Sequence, residues 1–176
     1  MTKPEVRCFP PVVGNAPHTL ILGSAPGITS LIEVEYYAHK RNAFWPIMAE
    51  LCGFDATLSY EERKTALTDA GFALWDVLAE CERESSLDSD IIESTVVAND
   101  FATLFDELPT IRRVFFNGGK AESSFHRHVI PKLGPMAEQA AFARLPSTSP
   151  AYAAMRYPAK LGRWRSALGA GVPSRA

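Results

Sequence analysis

Four short apolar runs recur along this chain, at Thr19–Gly23, Phe72–Leu78, Arg112–Phe116 and Ala141–Leu145, each bounded by glycine, proline or polar turn residues. Their length and composition predict β-strands. Between them the apolar positions fall at helical spacing. The segments are Ala43–Cys52 behind a capping Asn42, Tyr60–Ala70, Asp100–Leu108 behind a capping Asn99, and Gly119–Ile130. A last helix is expected to start near Pro158, a residue suited to a first turn. Strands alternating with helices predict an α/β fold: one domain of three layers, with a central, largely parallel four-stranded sheet flanked by helices. Residues 1–17 read as an N-terminal arm and residues 166–176 as a C-terminal tail. In such folds ligands bind where loops leave the carboxyl ends of the strands.

Composition agrees with a single core. The 176 residues are 47% hydrophobic and 22% charged, enough to bury a core without disulfides or a metal. Cys8, Cys52 and Cys81 are odd in number and widely spaced, which fits neither a disulfide framework nor a zinc knot. No apolar run has membrane-spanning length, and the N-terminus lacks a signal pattern. The expectation is a cytoplasmic protein with no metal, no cofactor and no membrane, a monomer by default. The net charge of −2 is unevenly spread. Before Arg112 there are 7 Lys and Arg against 18 Asp and Glu, whereas from Arg112 onward 11 basic residues face only Glu122 and Glu138. That basic third can meet phosphates or simply be a solvated surface.

Two segments draw attention. Gly23-Ser24-Ala25-Pro26-Gly27 follows the first apolar strand, and its glycines permit tight turning and close approach of a ligand to backbone amides. A strand-to-helix connection needs such residues for steric reasons too. Next comes Tyr36-Tyr37-Ala38-His39-Lys40-Arg41-Asn42-Ala43-Phe44-Trp45, which combines aromatic, amide and basic groups suited to a nucleobase beside phosphates. Asn42 and Phe44 read as functional, Trp45 as core.

These segments, with Leu74–Val77, Phe116–Gly118 and Leu145–Pro150, resemble the uracil-DNA glycosylase superfamily, and most nearly its hypoxanthine (deoxyinosine) DNA glycosylase branch. The resemblance runs in order from about residue 19 to 165. It implies a monofunctional hydrolase acting on the glycosidic bond of deaminated bases in DNA, with base flipping. Where many relatives carry Asp or Asn in the first loop this chain has Ala25, and where uracil enzymes have a histidine it has Leu145. The resemblance therefore transfers the water-positioning role to Asn42 and argues against uracil as the preferred substrate. The backbone of Gly23, Ser24, Ala25, Pro26 and Gly27 would face the base, Phe44 would stack on it, and Asn117 would read its edge. Lys40, Arg41 and the loop Ser147-Thr148-Ser149-Pro150 are candidates for phosphates, and Tyr152, Met155 and Arg156 for a wedge. Trp75 and Asp76 are assigned to structure, with Asp76 hydrogen-bonding a neighbouring loop. A phosphate-binding α/β module, a non-catalytic DNA-damage binder and a uracil or mismatch-specific glycosylase stand as alternatives.

Overall fold

Successive side chains of three of the four central strands feed two different cores, and that alternation decides the architecture. The computed structural model describes residues 4–169. In chain order the strands are β1 (Glu5–Arg7), β2 (Thr19–Gly23), β3 (Phe72–Asp76), β4 (Leu78–Glu82), β5 (Val97–Ala98), β6 (Arg113–Asn117) and β7 (Ala141–Leu145). The helices are α1 (Ile28–Glu33), α2 (Phe44–Cys52), α3 (Tyr60–Asp69), α4 (Phe101–Glu107), α5 (Gly119–His128), α6 (Ile130–Leu133) and α7 (Tyr157–Gly169). The central sheet has the order β3-β2-β6-β7 with every pair parallel. Leu20, Leu22, Ala73, Val114 and Phe116 pack on Phe101, Phe105 and Phe125 from α4 and α5. Ile21, Leu74 and Phe115 point the other way, onto Phe44, Ile47 and Met48 of α2 and Trp164 of α7. Both faces are thus covered, as expected for a parallel sheet.

Several boundaries differ from expectation. The strand expected over Phe72–Leu78 ends at Asp76: Val77 donates to the Gly23 carbonyl and Leu78 to that of Ser24, and the chain then turns into β4, a strand not expected, within a second, antiparallel sheet of order β1-β4-β5. The N-terminal arm joins both sheets, because β1 pairs with β4 and Val12 bridges Leu74 at the edge of the central sheet. Residues 166–169 continue α7, with Leu168 buried, so the tail does not begin at 166; residues 170–176 lie outside the described residues. The cap of α4 is Asp100, whose carboxylate accepts from Thr103 N–H, because Asn99 is drawn away to donate to the Asp76 carbonyl at 2.8 Å. The helix expected over Gly119–Ile130 ends at His128 and restarts as α6, since Pro131 cannot donate to the preceding turn. Among the described residues no helix is long and apolar enough to cross a membrane.

Candidate active site

Register brings the candidate residues to one place. Gly23 lies opposite Asp76, Leu22 opposite Phe116, and Asn117 opposite Leu145. The loops after β2, β3, β6 and β7 therefore open side by side, around a cavity of about 430 Å³. Its lining unites the predicted Gly23, Ser24, Ala25, Pro26, Gly27, Asn42, Asn117, Ser147, Thr148, Ser149, Pro150 and Tyr152. It also contains Tyr37, His39, Asp76, Asp88 and Lys120, to which the sequence reading gave no role in base recognition.

Phe44, expected to stack on the base, is not in that lining. Its side chain is fully buried, with the Tyr37 ring stacked on it at a centroid separation of 4.2 Å and an interplanar angle of 27°. Tyr37, rather than Phe44, lines the cavity, together with Tyr36 and Tyr152. It holds a left-handed backbone, φ 55°, which is costly for a bulky residue and turns its ring into the site. Its hydroxyl is buried beside the Asn117 amide, without a hydrogen bond of full geometry, and burial pushes its pKa well above the ordinary phenol value. Space for it is left by Gly23: a Cβ there would meet Tyr37 Oη at 2.9 Å and Asp76 Oδ1 at 2.5 Å.

Asn42 is fixed by its own helix. Its Oδ1 accepts the Phe44 N–H at 2.9 Å, so the amide holds a set orientation at the cavity wall with a second lone pair of that oxygen left over. Thr148 ties this wall to the others. Its carbonyl accepts Ala43 N–H at 3.0 Å, its N–H donates to Asn117 Oδ1 and its hydroxyl accepts from Asn117 Nδ2, both at 2.9 Å. This reciprocal pair sets the Asn117 rotamer, which sequence alone left open. It also corrects the assignment of Thr148 to phosphate, since the residue is 1% exposed and committed to Asn117. Gly118, at φ 97°, brings the chain past Ser147 so closely that a Cβ would meet the Ser147 Cβ at 3.1 Å.

The glycine loop is clamped from above by the segment after β4. Arg83, 2% exposed, donates to the Pro26 carbonyl and lies 3.7 Å from Asp88. Asp88 accepts the Ser24 hydroxyl at 2.6 Å, and Ser86 Oγ accepts Ile28 N–H at 2.9 Å. The Ser24 hydroxyl is thus already engaged. Asp76 forms no bond to this segment or any other loop through its side chain, contrary to expectation: it is 3% exposed, and its Oδ2 is buried without a partner. Burial raises its pKa to about 7, Arg83 opposing and Asp88 adding to the rise.

Lys40 and Arg41 do not line the cavity. They flank an adjoining groove that shares Asn42, Pro150 and Tyr152 with it and includes Met155, Tyr157 and Lys160. Lys160 is 5% exposed, donates to the Ser149 carbonyl at 3.3 Å and lies 5.2 Å from the Tyr152 ring centre; burial lowers its pKa. Arg156 lines neither space and is exposed, its carbonyl accepting Ala159 and Lys160 N–H in the first turn of α7. Trp45 is core, as read, with Nε1 donating to the Tyr36 carbonyl at 2.8 Å.

A cavity at the carboxyl ends of a parallel sheet, walled by a glycine–proline loop, an asparagine at a helix start and a Ser-Thr-Ser loop, defines a base-excision class of site. The sequence matches the model of the uracil DNA glycosylase superfamily over residues 10–168, and the chain belongs to that superfamily. A hypoxanthine DNA glycosylase of Methanosarcina barkeri is 37% identical over 114 residues, 64% of this chain and 71% of its own. The protein of the same name from Methanosarcina acetivorans is 35% identical over 116 residues, 65% of this chain and 72% of its own. A solution NMR structure from Methanosarcina acetivorans, assigned as a uracil DNA glycosylase, superposes with a TM-score of 0.76 at 31% identity, covering 92% of this chain and 95% of that one.

Proposed function

We propose that this protein is a monofunctional DNA glycosylase that removes hypoxanthine from deoxyinosine in DNA, working as a cytoplasmic monomer. The observation that carries the reading is Asn42, locked by the Phe44 N–H at the wall of a base-sized cavity, in a chain whose first loop offers Ala25 where a carboxylate or amide would otherwise direct water. A base can enter this cavity only after leaving the duplex stack, and a mispaired hypoxanthine leaves more easily than a Watson–Crick base. The flipped base lies along the Tyr37 ring. Lys40, Arg41, Ser147 and Ser149 face the strand at the cavity rim and groove, where phosphate contacts set register without reading sequence.

Cleavage of C1′–N9 builds positive charge on the sugar and negative charge on the departing purine, so fixed dipoles aimed at each lower the barrier. The free lone pair of Asn42 Oδ1 orients a water toward C1′. An amide is too weak a base to take a proton early, so the bond breaks largely before water attacks. Tyr152 stands at the mouth, 40% exposed, placed to fill the vacated stack. The test is incubation with duplexes carrying one deoxyinosine, one deoxyuridine or neither, followed by alkaline cleavage at abasic sites. Deoxyinosine is cut in preference to deoxyuridine, and Asn42→Ala loses turnover by about 100-fold or more while still binding the duplex. A duplex bound but left intact by the wild type would identify a non-catalytic damage binder.

A further inference from the structure

We propose that Asp76, at the floor of the cavity, reads the lactam edge of the flipped base and does so as a neutral carboxylic acid. This rests on the glycosylase reading above and assigns it a recognition group. Buried polar atoms in folded proteins are almost always paired, yet Asp76 Oδ2 is not, and among the described residues no cation lies within ion-pair distance of it. Asp76 nonetheless lines the cavity. Asn117, the residue first expected to read the base, has its amide committed at both ends to Thr148, which leaves it one N–H. The Tyr37 hydroxyl, with the Asn117 amide beside it, converges on the same spot, as the Cβ that Gly23 lacks would strike both it and Asp76 Oδ1.

The chemistry fits a protonated acid. Hypoxanthine presents an N1–H donor beside the O6 acceptor. A neutral carboxyl presents a carbonyl acceptor beside an O–H donor, so the two close a cyclic pair of hydrogen bonds. An ionised carboxylate offers acceptors only and would set one of them against O6. It would also oppose the negative charge that grows on the purine as C1′–N9 breaks, whereas an O–H donated to O6 stabilises that charge and keeps its proton. An acid held neutral by burial so that it can donate is a known device of enzyme sites. Adenine is met by the same acid with its oxygens exchanged, so its rejection falls to the cost of flipping a Watson–Crick-paired base. The titratable groups facing Asp76 are Arg83 and Asp88 from the segment after β4, Tyr36 and Tyr37 before α2, and Cys8 and Cys81. Their balance, dominated by burial, leaves the carboxyl protonated up to about pH 7.

The experiment is kcat/KM on a deoxyinosine duplex from about pH 5.5 to about pH 8.5, a quantity that reports ionisations of the free enzyme, for wild type, Asp76→Asn and Asp76→Ala. Wild-type kcat/KM is level at acid pH and falls about tenfold per pH unit above about 7. Asp76→Asn, which keeps one donor and one acceptor, cleaves about tenfold more slowly at acid pH and loses that fall. Asp76→Ala drops about 100-fold or more while binding abasic product DNA as the wild type does. If Asp76→Ala does not fold, the Asp76→Asn profile decides. A rate that rises with pH, with Asp76→Asn as inactive as Asp76→Ala, would make the group an ionised base and overturn the proposal. So would a wild-type profile unchanged in either variant. A wild type that cuts deoxyinosine at no pH fails the glycosylase reading itself, a separate result.

Discussion

Thr148 is small, yet its three polar groups hold β6, the start of α2 and the Ser-Thr-Ser loop in one geometry. Thr148→Val keeps the shape and both backbone bonds but leaves the half-buried Asn117 amide short of one acceptor. Such a loss costs about 1–3 kcal/mol, so urea unfolding should show a lower midpoint with an unchanged slope, and kcat should fall as Asn117 is freed to rotate. At this scale the sequence was informative about residue type and poor about direction. Asn42 and Asn117 stand out because an amide beside a strand end or helix start has few other uses. Phe44 and Tyr37, seven positions apart, could not be told apart, because the left-handed turn at Tyr37 that lays one ring over the other leaves no mark in hydrophobic pattern. Asp76 was read as structural because an acidic residue ending a strand normally finds a partner, and only burial without one shows otherwise.

Among the elements, the four parallel strands were legible as short apolar runs bracketed by glycine, proline and polar residues. The strands missed are β1, β4 and β5: β1 and β5 have three and two residues, too few to carry a period, and β4, Leu-Ala-Glu-Cys-Glu, carries two glutamates that mask it as a strand. Their value is indirect. β1 secures β4, and β4 leads into the Arg83–Asp88 segment that clamps the glycine loop. Val6 is the inward residue of β1, 5% exposed in the core beneath β4. Val6→Ala should therefore destabilise the fold by about 1–2 kcal/mol in urea titration and, unlike an exposed substitution such as Val13→Ala, also weaken deoxyinosine cleavage by loosening the clamp.

For the whole molecule, burying one carboxyl couples folding to pH. Asp76 has a pKa of about 7 in the folded chain against an ordinary 3.8. Between those values the native state keeps a proton that the unfolded chain has released, so its contribution to stability falls as pH rises from about 4 to about 7 and is level above. Asp76→Asn abolishes that slope. Its urea midpoint should converge on the wild type's near pH 4 and exceed it at pH 8, by a difference on the order of a few kcal/mol. The opposite order at pH 8 would mean that the carboxylate is stabilised by a partner. Thr148 bonds both Ala43 and Asn117, tying three segments of the site together, and Arg83 and Asp88 pin a fourth. A receptor so cross-linked gains little by deforming around its ligand. The work of recognition then rests on the nucleic acid, and lesions that loosen a base pair are captured faster because they supply that work themselves.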